Sequence, residues 1–125
     1  MTVVIDTSAL RAFIKHEPGG DGGAAHLGDG IVSPVIFAET LGKLAAQGFD
    51  AEAARRDLLA AGLRVETFGL DEVPSVVALQ WLANGRISLA DRICLALAID
   101  RSLPVLTGDR EWSSLGLPLD VRLIR

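Results

Sequence analysis

The sequence has 125 residues, half of them hydrophobic, with 12 basic side chains against 16 acidic ones and a net charge of −4. That length suits one domain with its own core, and a single cysteine, Cys94, excludes an internal disulfide framework. The acidic balance argues against a protein that coats nucleic acid through a broad basic face, although cations held by carboxylates would change the sum at a site.

Thr2-Val3-Val4-Ile5 opens the chain as a short buried strand rather than as a signal peptide, so a cytoplasmic location is expected. Asp6 follows where a parallel strand hands over to a helix, equally suited to cap that helix or to carry chemistry at the strand end. Residues 7–16 carry Ala9, Leu10, Phe13 and Ile14 at helical spacing toward the core. Arg11 and Lys15 lie four apart on the other side, as a solvated face or as phosphate contacts. From Glu17 to Gly30, Pro18 and a run of glycines predict a loop or a frayed helix, the least ordered part of the chain. No Gly-Lys-Ser/Thr follows, so this is not a nucleotide-binding loop.

Ile31-Val32 reads as a second strand, after which Ser33 and Pro34 supply an N-cap and a first-position proline for a helix to about Gln47. At 100° steps Phe37, Ala38, Leu41, Leu44 and Ala45 share one face, and Ile36, Thr40, Lys43 and Gln47 another. Glu39 falls at the border of the polar arc, either a surface partner for Lys43 or a functional acid. Asp50 caps a helix that Gly62 ends, and Arg64 to Phe68 is the next strand. Asp71 opens a helix with Pro74 in its first turn, and its Val73, Val76, Val77, Trp81 and Leu82 are expected to face the interior until Asn84-Gly85 breaks it.

Ser88 starts a helix through Asp100 that is apolar almost all round, with Cys94 as a small core residue. Its unbroken apolar run, Ile93 to Ile99, is far shorter than the ~18 residues of a membrane helix, so no membrane association is expected. Pro104 to Thr107 is a strand, Asp109 to Leu115 a short helix, and Val121 to Ile124 a last strand at an edge. The alternation predicts an α/β fold, an open and mostly parallel five-stranded sheet with helices on both faces.

In such a sheet the carboxyl ends of the strands share one rim, which gathers Asp6, Asp91 and Asp109. Asp91 also completes a Ser-x-x-Asp capping box with Ser88, and Asp109 suits a helix cap. Grouped carboxylates raise one another's pKa unless a cation separates them, and hard ions such as Mg2+ or Mn2+ suit oxygen ligands. His16 and His26 lack metal-ligand spacing, and there is no Gly-x-Ser-x-Gly nucleophile elbow.

Four segments in order, Val4-Ile5-Asp6-Thr7-Ser8-Ala9-Leu10, Ser33-x5-Glu39, Ser88-Leu89-Ala90-Asp91-Arg92-Ile93 and Val105-Leu106-Thr107-Gly108-Asp109-Arg110-Glu111-Trp112, resemble PIN-domain proteins of the VapC toxin type. The resemblance spans nearly the whole chain. It implies a single PIN-like, three-layer domain over residues 1–125 and an endoribonuclease that uses one or two Mg2+ or Mn2+ ions to activate water against an RNA phosphodiester. It also implies a homodimer and a cognate antitoxin partner. The family's acidic quartet falls on Asp6, Glu39, Asp91 and Asp109, with Ser8 and Thr107 as supporting hydroxyls. Arg11, Lys15, Arg92 and Arg110 are the nearest basic residues for steering RNA. The chain departs from the family pattern in its glycine-rich segment 19–30 and in Gly108, where a larger residue is expected. Two rival readings are a phosphatase of the haloacid-dehalogenase type, which wants a second aspartate where Ser8 stands, and a catalytically silent interaction module on the same fold.

Overall fold

The computed structural model describes residues 2–125. Its strands are β1 (Val3–Ile5), β2 (Gly30–Val32), β3 (Arg64–Val65), β4 (Val105–Thr107) and β5 (Val121–Leu123). All pair in parallel, in the order β3-β2-β1-β4-β5. The helices are α1 (Thr7–Ile14), α2 (Gly20–His26), α3 (Pro34–Ala46), α4 (Ala51–Ala60), α5 (Val73–Ala78) and α6 (Leu89–Arg101). Single 3-10 turns stand at Leu27–Asp29, Leu70–Glu72, Leu82–Gly85 and Arg110–Ser114.

Short β-branched and leucine-rich strands covered on both sides account for the core, because a parallel sheet hides both faces. Val3, Val4, Ile5, Ile31, Val32, Val105 and Leu106 are all buried, with Leu10, Ile36, Leu95 and Trp112 packed on them. From β1 the chain steps outward to β2 and β3, then returns across the sheet to β4 and β5. The reversal lies between β1 and β4, and it opens a crevice at their carboxyl ends. Among the described residues no helix is long and apolar enough to cross a membrane.

Of the loop or frayed helix expected for the glycine-rich segment, the structure has the helix, better packed than expected. Residues Gly20 to His26 form α2, laid tightly along α1. A β-carbon at Gly20 would stand 2.5 Å from the Ala12 carbonyl oxygen, and one at Gly23 3.1 Å from that of Ala9. The glycines therefore let two helix backbones approach where side chains would hold them apart, and packing overrides their poor helix propensity.

Two further expectations change. The buried stripe of α3 is Ile36, Thr40 and Leu44, four apart, whereas Ala38 and Ala45 are exposed. In α5 only Val76 is buried, packed against Ile93 and Ala96 of α6, while Val77 and Trp81 are 51% and 78% exposed. The reason is length: α5 stops at Ala78, and Ala83 and Asn84 turn left-handed, so the apolar period that includes Trp81 never becomes one continuous helix. The third strand is shorter than expected, Arg64–Val65 alone.

Candidate functional site

Asp6 follows β1 directly and is 4% exposed. It holds the N-cap position of α1, and its backbone carbonyl accepts from the amides of Ala9 and Leu10, but its side chain makes no capping bond. The carboxylate is held instead from α1 and β4. Ser8 Oγ donates to Asp6 Oδ2 at 2.8 Å and Thr107 Oγ1 donates to the same oxygen at 2.9 Å. Each hydroxyl is itself fed by an amide, Gly108 N to Ser8 Oγ at 2.8 Å and Asp109 N to Thr107 Oγ1 at 3.0 Å. A hydroxyl carries one proton, so with both spent on Asp6 the 3.2 Å approach of Ser8 Oγ to Thr107 Oγ1 is a close contact between oxygens. Every donor in the network points toward Asp6.

The other oxygen, Asp6 Oδ1, is buried with no partner. Burial pushes the Asp6 carboxyl above its ordinary range, and the hydroxyls of Ser8 and Thr107, with the backbone amides of Thr7 and Ser8, offset this only in part. A buried carboxylate oxygen without a full hydrogen bond costs ~1–3 kcal/mol, which a bound cation would offset.

Glu39 approaches from α3. Thr7 Oγ1 donates to Glu39 Oε1 at 2.8 Å, and Lys43 Nζ stands 4.0 Å from the same oxygen. The surface pair with Lys43 and the inward tie to Thr7 therefore coexist. Thr7 was not singled out in the sequence, yet at 100° per residue the successive hydroxyls of Thr7 and Ser8 must face different neighbours: Thr7 meets Glu39 and Thr40 on α3, and Ser8 meets Thr107 on β4. Asp91 lies in the first turn of α6, where its amide donates to the capping Ser88 Oγ at 3.1 Å. Its carboxyl is raised to about 6, first by burial and then by the charges of Asp6, Glu39 and Asp109. Asp109 follows β4 and caps the next turn through Glu111 N at 3.0 Å. The four acids thus share one electrostatic field around Asp91.

Among the described residues no three His, Cys, Asp or Glu side chains converge closely enough to hold an ion by themselves. The donor set still fits a hard divalent cation, because such an ion keeps several waters and needs only one or two direct carboxylates. Asp6 Oδ1 is the oxygen left over for it. The histidines stand outside the network: His16 is exposed and His26 partly so. Cys94 is a buried core thiol, which burial pushes well up.

The basic residues divide. Lys15 pairs with Glu17 at 3.4 Å. Arg11 and Arg92 are half-buried, each with an unpartnered Nε, and Arg110 is exposed. Among the described residues none of these three arginines makes an ion pair.

The family model for the PIN domain matches residues 3–117. No curated protein matches the chain by sequence. Among solved structures, VapC20 of Mycobacterium tuberculosis, a sarcin-ricin loop cleaving toxin, superposes with a TM-score of 0.74 at 18% identity, over 93% of this chain and 96% of its own. A toxin-antitoxin complex from Klebsiella pneumoniae gives 0.77 at 19% identity, over 99% and 98%. DNA-bound VapBC from Salmonella typhimurium gives 0.73 at 13% identity, over 100% and 99%. At these identities the similarity is one of fold.

Proposed function

The chain belongs to the PIN-domain family, and on that premise we propose that it is a metal-dependent endoribonuclease serving as the toxin of a toxin-antitoxin pair. The observation that carries the reading is Asp6, a buried carboxylate at the switch point of the sheet with one oxygen held by two hydroxyls and the other without a partner. Asp6, Glu39, Asp91 and Asp109 would hold one or two Mg2+ or Mn2+ ions. Such an ion, when bound, supplies an acidified water and a positive charge against the phosphodiester.

The chain's own residues do the positioning. Ser8 and Thr107 fix the Asp6 carboxylate, and Thr7 turns Glu39 inward against the pull of Lys43. Arg11, Arg92 and Arg110 leave their charge available for the RNA backbone, whereas Lys15 must share its charge with Glu17. That VapC20 is a sarcin-ricin loop cleaving toxin supports an RNA substrate, and the complexes of the other neighbours support an antitoxin partner. The reading includes a cytoplasmic location and a homodimer, for which exposed Val77 and Trp81 offer apolar surface to bury.

The test is incubation of purified, antitoxin-free protein with structured RNA, with Mg2+ or Mn2+ and with EDTA. Cleavage is expected only with the metal, and cleavage that persists in EDTA overturns the reading. The open spacing of the acids favours the catalytically silent module as the second reading. That reading expects intact RNA under every condition.

A further inference from the structure

Gly108, the residue smaller than the family pattern expects, has a neighbour that the acidic site does not explain. A β-carbon at Gly108 would stand 3.3 Å from Arg125 Nη2, 3.5 Å from Arg125 Cζ and 3.4 Å from Ser8 Oγ. The Arg125 guanidinium and the Ser8 hydroxyl therefore flank one vacant point, and that hydroxyl donates directly to Asp6. The backbone delivers Arg125 there: β5 pairs Leu123 with Thr107, Ile124 N donates to the Thr107 carbonyl at 3.0 Å, and the next residue reaches past the end of β4. Arg125 Nη1 donates to the Pro18 carbonyl at 2.9 Å, which pins the guanidinium between the α1–α2 connection and Gly108.

The charge is not used within the protein. Seven basic side chains make ion pairs: Lys15, Lys43, Arg55, Arg56, Arg86, Arg101 and Arg122. Among the described residues Arg125 is one of the few cations that do not, with Arg11, Arg64, Arg92 and Arg110. Of these only Arg64 stands on the far edge strand, away from the acids. A guanidinium has five donors in a planar fork suited to phosphate oxygens, and Arg125 spends one on a neutral carbonyl. The side chain is exposed and held in place, so little freedom is lost when a ligand arrives.

We propose that Arg125 is an RNA contact, its guanidinium receiving a backbone phosphate of the strand that lies over the Asp6 crevice, and that a β-carbon at Gly108 would press its tip aside by a few tenths of an ångström. This rests on the ribonuclease reading and adds to it a residue outside the matched family segment.

The test is the binding of a labelled single-stranded RNA in EDTA, followed by fluorescence anisotropy from low to high KCl, for the unmodified protein and Arg125→Gln. Loss of one phosphate contact is expected to lower the slope of log K against log salt by about 0.7, which is about fivefold in affinity at 0.1 M KCl. Phenylglyoxal labelling of the unmodified protein, read by mass spectrometry, decides independently of whether the variant folds. RNA is expected to slow modification of Arg125 severalfold and leave Arg64 unchanged. An unaltered slope in a folded variant, or equal labelling of Arg125 with and without RNA, overturns the proposal and leaves Arg125 as a tether for Pro18. An unmodified protein with no salt-dependent RNA binding in EDTA overturns this proposal, whereas the ribonuclease reading falls only if RNA also stays intact with Mg2+ or Mn2+.

Discussion

Asp6 and Asp91 show how much of the site is written in single side chains. Position and residue type alone left Asp6 divided between capping and chemistry, and in the structure two hydroxyls hold its carboxylate while the Thr7 and Ser8 amides add weaker support to its charged form. Sequence could not show this, because the deciding partner, Thr107, is about a hundred residues away. Asp91 carries the measurable consequence. Its folded-state carboxyl, raised to about 6 from an ordinary 3.8, binds its proton more tightly than in the unfolded chain. Between those values the folded state holds the extra proton, so metal-free stability falls as pH rises from about 4 to about 6 and stays lowered at pH 7. Asp91→Asn removes that penalty. The full shift at 1.36 kcal/mol per unit overstates it, since the group is partly exposed and screened. A gain of ~1 kcal/mol is expected in denaturant melts at pH 7 in EDTA, disappearing near pH 4. Equal stability of the two proteins at pH 7 would show that burial and the neighbouring acids do not raise the Asp91 carboxyl.

At the scale of elements, caps and breakers were legible and packing was not. Ser33 with Pro34, Asp50, Ser88 and Asp109 each make the cap their sequence announces, because capping is decided within three residues. For Gly20–His26 a helix was one of two readings but its order was hidden, because it depends on how closely its glycines let α1 approach. That dependence predicts opposite effects for one substitution at neighbouring positions. Gly22 has nothing within 4 Å of its missing β-carbon, so Gly22→Ala should stabilise by ~0.5–1 kcal/mol through helix propensity. Gly20→Ala would drive a methyl into the Ala12 carbonyl and should cost ~1–3 kcal/mol. Thermal melts of the two variants check this, and shifts of the same sign would mean that α2 does not pack as described. The outward Val77 and Trp81 mark the converse limit, an apolar period read correctly as residues but assigned to a helix longer than the chain builds.

The whole molecule is a sheet whose order could be inferred as a class and whose switch point had to be seen. Alternating strands and helices announced a parallel sheet, but only the order β3-β2-β1-β4-β5 puts Asp6 beside Thr107 and faces their shared crevice with α3 and the start of α6. The exposed surface of α5 and Trp81 belongs to this scale also. In the proposed homodimer Trp81→Glu should yield a monomer by light scattering at micromolar concentration with an unchanged melting temperature, since the side chain is 78% exposed. An unmodified protein that is already monomeric would remove the dimer from the account. The central claim is that the oxygen left unpartnered on Asp6 is there to hold a catalytic ion. It is tested most directly by stripping the unmodified protein and Asp6→Asn with EDTA, then titrating Mg2+ or Mn2+ into each with the same RNA. The account predicts that cleavage returns with metal in the unmodified protein and is ~100-fold or more weaker in a folded Asp6→Asn. Equal cleavage by the two proteins, or cleavage before any metal is added, would contradict it.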